Sequence, residues 1–203
     1  MKAFRWIGIL VISFFVLNCA SGGNIPLNIQ YQPERQFPDL RQKIGTTLAV
    51  TPVKDMRQDP SYLGIHATLT GDIEYYKSAT LPLDEMVMES LSKILPPYGV
   101  KLVPLPRWDG NPESLKEIDA DSVMMIEIKK FWAKSKTEVW GGEMNISVQF
   151  LIYLGVKKEN KVFTRNFQVD RSDTTLRVTP KWMEEAINPI LTQIFDSFFS
   201  NPY

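Results

Sequence analysis

The chain has 203 residues, and its 23 Lys and Arg balance its 23 Asp and Glu, so the formal net charge at pH 7 is zero. Phosphate-rich partners demand a strongly cationic surface, and this balance argues against a nucleic-acid-binding protein. A single cysteine excludes an internal disulfide, while an apolar fraction of 44% with 5 Trp and 11 Phe is enough to build a hydrophobic core.

The amino-terminal residues have the pattern of an export signal. Lys2 and Arg5 precede an apolar run over residues 6–17, and small residues follow at 20–22. This run is shorter than the ~20 apolar residues that a membrane-spanning helix needs. We therefore predict that residues 1–18 are a signal peptide. A secretory signal followed by an incidental cysteine and an uncleaved anchor are the two alternatives.

Cys19 directly follows the predicted signal peptide. The sequence Leu17-Asn18-Cys19 resembles the lipobox of bacterial lipoproteins, in the looser form found in spirochaetes, because Asn18 replaces the more usual Gly or Ala. The resemblance implies a diacylglyceryl group on the Cys19 sulfur and an acylated new amino terminus. Burial of acyl chains contributes ~0.8 kcal/mol per methylene, which would hold the domain on a membrane. No thiol then remains for a metal site or a nucleophile.

The rest of the chain divides into a linker and one domain. Residues 19–44 are rich in Asn, Gln, Pro and Gly without a sustained period, which predicts that the acylated Cys19 is followed by a flexible tether, with contacts from Tyr31 and Phe37 near its end. Residues 45–203 are predicted to form a single globular domain.

The first half of this domain has one clear helix. Residues 82–95 place apolar side chains on a single stripe, and Pro-Pro-Tyr-Gly ends the helix. The other predicted elements here are shorter: a first strand over 46–53, a long loop over 55–81 with a short strand near 66–69, a strand over 100–104 and a brief helix over 112–118.

The second half predicts an antiparallel meander followed by a long helix. Three strand patterns cover residues 122–136, 144–154 and 162–171, with turns at Trp140-Gly141-Gly142 and at 157–160. The last segment, 180–199, has a wide apolar stripe, with Thr179 as its cap and Pro189 inside it, where we expect a kink.

This order of elements predicts an α/β (α+β) two-layer sandwich, in which a mixed, largely antiparallel sheet carries two main helices packed on one face. With the stretch Val53-x-Asp55-x-Arg57 after the first strand, the layout resembles YajG-type lipoproteins and periplasmic lipoproteins similar to the amino-terminal domain of TolB. The resemblance implies an envelope accessory protein without enzymatic activity.

We find no catalytic or metal-binding pattern in the sequence. His66 is the only histidine and lies outside any nucleophile motif, which predicts an ordinary loop or strand histidine. Asp55, Asp59, Asp72 and Glu74 do not follow the spacing of a calcium loop. The expectation is therefore a protein without cofactor, metal or enzymatic activity, in which Asp55 and Arg57 form a local ion pair.

Aromatic residues are the better candidates for a binding site. Trp132 and Trp140, with Phe131 and nearby lysines, are predicted to lie at one end of the meander, where they would contact a protein partner or lipid headgroups. The alternative is that both tryptophans pack back on the sheet. Tyr75 and Tyr76, with Tyr62, form a second candidate group in the long loop.

The sequence thus predicts a lipoprotein anchored in the outer membrane, on its periplasmic face or on the cell surface. The expected partners are the membrane, through the lipid on Cys19, and an envelope protein. The expected function is non-enzymatic binding or assembly. A surface-exposed adhesin that binds host proteins is the alternative, and a carboxylate-dependent hydrolase is a third, less favoured class.

Overall fold

A computed structural model describes residues 22–203, so Cys19 and the predicted signal peptide lie outside the described residues. The strands are β1 Asn24–Leu27, β2 Thr47–Val50, β3 Lys54–Asp55, β4 Gly64–Ala67, β5 Ile73–Ser78, β6 Lys101–Pro104, β7 Ser122–Glu138, β8 Gly141–Val156 and β9 Lys161–Thr175. The α-helices are α1 Leu40–Ile44, α2 Leu83–Ile94 and α3 Pro180–Ser200, and short 3-10 helices cover Pro96–Tyr98, Glu113–Glu117 and Lys157–Glu159.

Strand β7 organises the sheet. One of its edges pairs antiparallel with β8 from Ser122 to Glu138, and β8 pairs antiparallel with β9. The other edge is shared by three short parallel strands, β2, β3 and β4. Strand β6 extends the sheet beyond β2, whereas β5 and then β1 extend it beyond β4. The predicted antiparallel meander and the mixed character of the sheet are confirmed.

The two main helices cover one face of this sheet. Side chains of β7 alternate between its faces, as in any strand. Met124, Ile126 and Ile128 belong to the cluster that contains the buried residues of α2 and α3. Val123 and Met125 belong to a second, smaller cluster with Trp108 and other residues of the 105–120 segment. The first part of β7 is therefore buried on both faces, because an irregular segment covers the face opposite the helices.

The last helix begins as the sequence predicts. Thr179 Oγ1 accepts a hydrogen bond from the Trp182 backbone N–H at 3.1 Å, and Pro180 occupies the first turn. Its apolar stripe is buried in the core, and Pro189 lies within the helix. None of the helices in residues 22–203 combines the length and apolar character needed to cross a membrane.

The predicted flexible tether differs from the structure over residues 24–44. Strand β1 pairs in parallel with β5, and the segment that follows it is packed on the domain. Leu27, Ile29 and Tyr31 are buried and alternate with exposed polar residues, and Phe37 is buried further on. The physical reason is that this short alternation presents one apolar face to the core, as in a strand. Residues 24–44 are therefore part of the domain.

Polar side chains of α3 hold this amino-terminal segment in place. Glu184, Asn188, Thr192 and Asp196 are spaced by four residues, so they lie along one face of the helix. They bond backbone groups of the segment: Glu184 Oε1 accepts from Asn28 N (2.7 Å), Asn188 Oδ1 from Gln30 N (3.1 Å), Asp196 Oδ2 from Glu34 N and Arg35 N (both 3.0 Å), and Thr192 Oγ1 donates to Gln32 O (3.0 Å). We call these four side chains the α3 ladder.

The long loop predicted over 55–81 contains more structure than expected. Strands β4 and β5 form an antiparallel hairpin, with a turn over 68–72 in which the Thr68 backbone N–H donates to Asp72 O at 2.9 Å. Each strand is short and lacks a strong apolar alternation, which is why the sequence pattern predicts mostly loop. Both strands are stabilised by pairing with strands distant in the sequence, β4 with β7 and β5 with β1. The predicted short strand at 66–69 corresponds to β4 shifted by two residues.

Asp196 provides a direct test of the α3 ladder. Its side chain is 3% exposed and also accepts from the Tyr31 hydroxyl at 2.8 Å. Replacement by Ala removes the acceptor and leaves buried donors without a partner, so we expect Asp196→Ala to lower the free energy of unfolding in urea by about 2–3 kcal/mol. The exposed Glu185 of the same helix pairs only with Lys181, and Glu185→Gln should change that free energy by less than about 0.5 kcal/mol. Equal effects of the two substitutions would contradict the ladder.

Candidate functional site

Trp140 lies at the tip of the β7–β8 hairpin and is almost entirely exposed. Glu138 pairs with Gly141, so Val139 and Trp140 alone form the connection between the strands. The exposed fractions are 92% for Trp140 and 72% for Val139. A tryptophan that buries so little surface within its own domain leaves a large apolar area available for contact with another molecule.

Other exposed apolar side chains surround this tip. Of the six large hydrophobic residues that are exposed among residues 22–203, only Met56 lies elsewhere. The remaining five come from the β4–β5 turn, the β7–β8 hairpin and the end of β9: Leu69, Ile73, Val139, Trp140 and Leu176. We call these five residues the apical surface. Four of them line an open concavity of about 880 Å³, which shows that separate elements meet at this end of the sheet.

Glycine residues fix the hairpin tip against the end of β9. Gly141 has a φ of 142°, and a Cβ atom there would lie 2.5 Å from the Thr175 carbonyl oxygen. A Cβ on Gly142 would lie 2.3 Å from Val178 Cγ2. A side chain at Gly141 would clash with backbone in a left-handed conformation, and one at Gly142 would displace Val178 and crowd the Lys136 carbonyl oxygen, 2.8 Å away, so glycine is favoured at both positions. The Gly-Gly pair in the predicted turn therefore lets the tip pack directly on the chain that follows β9, which brings Trp140 and Leu176 to the same surface.

The structure does not bring Trp132 and Trp140 together. β7 continues for six residues from Trp132 to its end at Glu138, just before the tip, a distance of about 20 Å at 3.3 Å per residue. Phe131 is buried, whereas Trp132 is half-buried and lines a concavity of about 340 Å³ with Lys129, Lys130 and loop residues 57–59. The prediction of one aromatic group at a hairpin tip is therefore corrected. Neighbouring strand residues point to opposite faces, which separates Phe131 from Trp132, and the strand continues far past Trp132, which separates it from Trp140.

The tyrosine group is also divided by strand alternation. Tyr76 is 1% exposed and its hydroxyl contacts Ser135 Oγ at 2.7 Å, so it is a core residue and is not available to a partner. Burial raises the pKa of Tyr76, which keeps the hydroxyl protonated. Tyr75 points the other way, and its ring lies 4.5 Å from that of Tyr62, with Lys77 Nζ 4.9 Å from the Tyr62 ring centroid. Tyr62 and Tyr75 therefore lie together, whereas Tyr76, predicted as a binding residue of the same group, is a buried core residue.

Trp132 and Tyr75 are parts of one uncovered area of the sheet. The 105–120 segment covers the face opposite the helices only near the first part of β7. Beyond it, Trp132, Lys134, Tyr62, Tyr75 and Lys77 belong to neither hydrophobic cluster. Only β4 separates β7 from β5, and Tyr75 is level with Lys134, two residues from Trp132, so Trp132 and Tyr75 lie about 12 Å apart across the sheet. We call these five residues the open face.

His66 forms a buried polar contact rather than a catalytic triad. Its Nδ1 lies 2.8 Å from Ser135 Oγ, and its Nε2 lies 3.3 Å from Thr137 Oγ1. Both ring nitrogens thus contact hydroxyl groups, and neither contacts a carboxylate, which a triad would need to orient the imidazole. His66 and Ser135 are 8% and 1% exposed, so this pair lies within the core.

Asp55, in the segment predicted as a long loop, has a local structural partner. Asp55 forms an ion pair with Arg57, with Oδ2 and Nη2 2.6 Å apart, which confirms the predicted local pair. The same guanidinium donates to the carbonyl oxygens of Tyr62 at 2.7 Å and Pro60 at 2.8 Å, so it holds the loop before β4. No group of three or more His, Cys, Asp or Glu suited to a metal ion occurs within residues 22–203.

Comparison with known proteins finds likenesses of structure only. No family model and no curated protein matches the chain. An uncharacterised protein has a similar structure with a TM-score of 0.46 and 12% identity, covering 89% of this chain and 97% of that one. A neuraminyllactose-binding hemagglutinin homologue from Helicobacter pylori gives a TM-score of 0.40 and 9% identity over 88% and 92% of the two chains. Lipoprotein GNA1162 from Neisseria meningitidis gives 0.35 and 11% over 74% and 98%. These likenesses are too distant to assign a function.

The pH dependence of stability should report the burial of His66. Burial lowers the pKa of His66 below its ordinary value of 6.5, and the opposing effect of Glu74 is smaller. As the pH falls, His66 in the unfolded chain therefore binds a proton at a higher pH than His66 in the folded chain. The stabilisation that comes from burying the neutral imidazole is complete above pH 6.5, and the free energy of unfolding decreases as the pH falls below that value. Urea unfolding between pH 7.5 and 5 should show this loss. His66→Gln should be flatter over the same range, and an unchanged slope in that variant would contradict the assignment.

Proposed function

We propose that the chain is a lipoprotein of the bacterial outer membrane, anchored through acylated Cys19, and that it acts as a non-enzymatic binding or assembly module of the cell envelope. One observation carries this proposal. Strand β1 begins at Asn24 and is paired into the sheet, so only residues 20–23 separate the predicted lipid attachment site from the folded domain. An anchor at that position would hold the domain directly against a membrane, where its surface is presented at a fixed place.

The open face is the proposed contact for an envelope protein. It combines three aromatic rings with two lysines on a sheet surface that neither the helices nor the 105–120 segment cover. Aromatic side chains on a rigid sheet lose little conformational entropy on binding and contribute much of the energy at protein interfaces. The anchor would also raise the local concentration of the domain near other membrane proteins, so a contact of modest affinity would be occupied.

The surroundings of the titratable groups support the proposal of a non-enzymatic role. The only histidine is buried against hydroxyl groups, and the ion-paired Asp55 is used to hold a loop. Residues 22–203 show no cluster of carboxylates and histidine at either concavity described above. Resemblance to the YajG-type and TolB-like lipoproteins supports the same proposal from the sequence.

The anchor is tested in cells with the Cys19→Ala variant. The wild-type chain should incorporate labelled palmitate and stay with the membrane fraction, whereas Cys19→Ala should lack the label and move to the aqueous fraction. Protease treatment of intact cells then separates the periplasmic from the surface location, since a periplasmic module is protected and an adhesin is cut. A wild-type chain without the label would contradict the lipoprotein assignment.

The partner surface is tested by cross-linking in intact cells, followed by identification of the cross-linked proteins by mass spectrometry. Trp132→Ala combined with Lys134→Glu removes an aromatic ring and reverses a charge on the open face, and we expect it to abolish recovery of a discrete envelope partner. Lys116→Glu makes the same charge change on the exposed 3-10 segment of the covered side, and it should leave recovery unchanged. Unchanged recovery with a folded open-face variant would exclude this surface.

A further inference from the structure

We propose that the apical surface inserts into the interfacial layer of the membrane that holds the lipid on Cys19. The apical end of the sheet would then contact the bilayer, and the strands would extend away from the membrane. This inference rests on the proposed lipid anchor, and it names the occupant of a surface that the fold leaves uncovered.

The chain enters the domain beside the apical surface. The Gly23 carbonyl accepts a hydrogen bond from the Tyr75 backbone N–H at 2.9 Å, and a Cβ atom on Gly22 would lie 2.9 Å from the Ile73 carbonyl oxygen. Ile73 is both the first residue of β5 and a member of the apical surface. The described chain therefore begins at the end of the sheet where the exposed apolar residues gather.

The reach of the anchor is short. Gly22 is three residue steps from Cys19, with only Ala20 and Ser21 between them, and an extended chain spans at most ~3.3–3.6 Å per residue, so the two Cα atoms lie within about 11 Å of each other. Neither β1 nor the segment after it lengthens this distance, because β5 pairs with β1 and the α3 ladder holds residues 28–35. A lipid on Cys19 would thus bring this end of the sheet to the bilayer surface and keep the opposite end away from it.

The chemistry of the apical surface fits the interfacial layer. Tryptophan favours the boundary between hydrocarbon and headgroups, because its ring is apolar and its indole N–H finds a polar partner there. At the hairpin tip only Val139 and Trp140 lie beyond the last backbone pair, so this hairpin would carry few unpaired backbone groups into the membrane. Lys136 and Glu138, next to the tip, compensate each other with Nζ and Oε1 2.9 Å apart, whereas the carboxylates of Asp72 and Glu143 at this end would stay in the headgroup layer. Arg177, next to Leu176, is exposed and would meet headgroup phosphates.

Tryptophan fluorescence in vesicles tests the orientation. Cys19 is the only cysteine, so the chain 19–203 can be coupled through its thiol to a maleimide lipid in phosphatidylcholine vesicles, half of whose lipids carry dibrominated acyl chains. Bromine quenches an indole that reaches the acyl region. The wild-type chain should be quenched, and Trp140→Phe should lose most of that quenching. Trp132→Phe, the matched control on the open face, should retain it.

The two variants distinguish the possible outcomes. Trp140 is exposed, so Trp140→Phe should keep the circular dichroism spectrum of the folded domain. Quenching that is equally strong in Trp140→Phe, or absent from all three tethered chains, would overturn the inference. Because the coupling is chemical, this result does not depend on acylation in cells. Loss of palmitate labelling with retained quenching would therefore reject the lipid anchor alone, whereas labelling without quenching would reject the apical contact alone.

Discussion

The α3 ladder fixes the amino-terminal segment of the chain to the folded domain. Residues 28–35 follow β1 and have no strand partner, so their buried backbone groups need other hydrogen-bond partners. Buried peptide groups without hydrogen bonds are costly. Glu184, Asn188, Thr192 and Asp196 supply those partners from a single face of α3. The final helix thereby fixes the beginning of the domain, and what would otherwise be a long linker becomes a short one.

Strand β7 sets the second constraint, which is the division of the sheet into two regions. It pairs with β8 along its whole length, with one register shift between Ile128 and Lys130. Its other edge pairs with β2 near its start, and β2 carries β6; near its end it pairs with β4, which carries β5 and β1. The 105–120 segment covers the region of β2 and β6 and leaves the region of β4 and β5 open on the same face. The open face and the apical surface thus lie in the same region as β1, because the sheet branches at β7.

The elements with strong periodicity could be predicted from the sequence, and those that depend on distant partners could not. The meander, α2 and α3 each carry enough alternating or helical pattern to define themselves. The alternation Leu27, Ile29, Tyr31 was too short to separate a packed segment from a tether, and β4 and β5 are stabilised mainly by strands far along the chain. Among the site residues, Trp140 stands at a recognisable turn, but whether Trp132 and Tyr76 point outward depends on the strand register.

The geometry also limits the kind of partner that the open face could meet. Ile73 is level with Lys136, because both pair with Ala67; from that level Tyr75 lies about 7 Å along β5 and Trp132 about 13 Å along β7. With the apical surface at the bilayer, the open face would lie between these two distances from the membrane. Its side chains would point parallel to the membrane plane. A partner that contacts both Tyr75 and Trp132 must then itself approach the membrane closely. This requirement favours a membrane-bound envelope protein over a freely diffusing one.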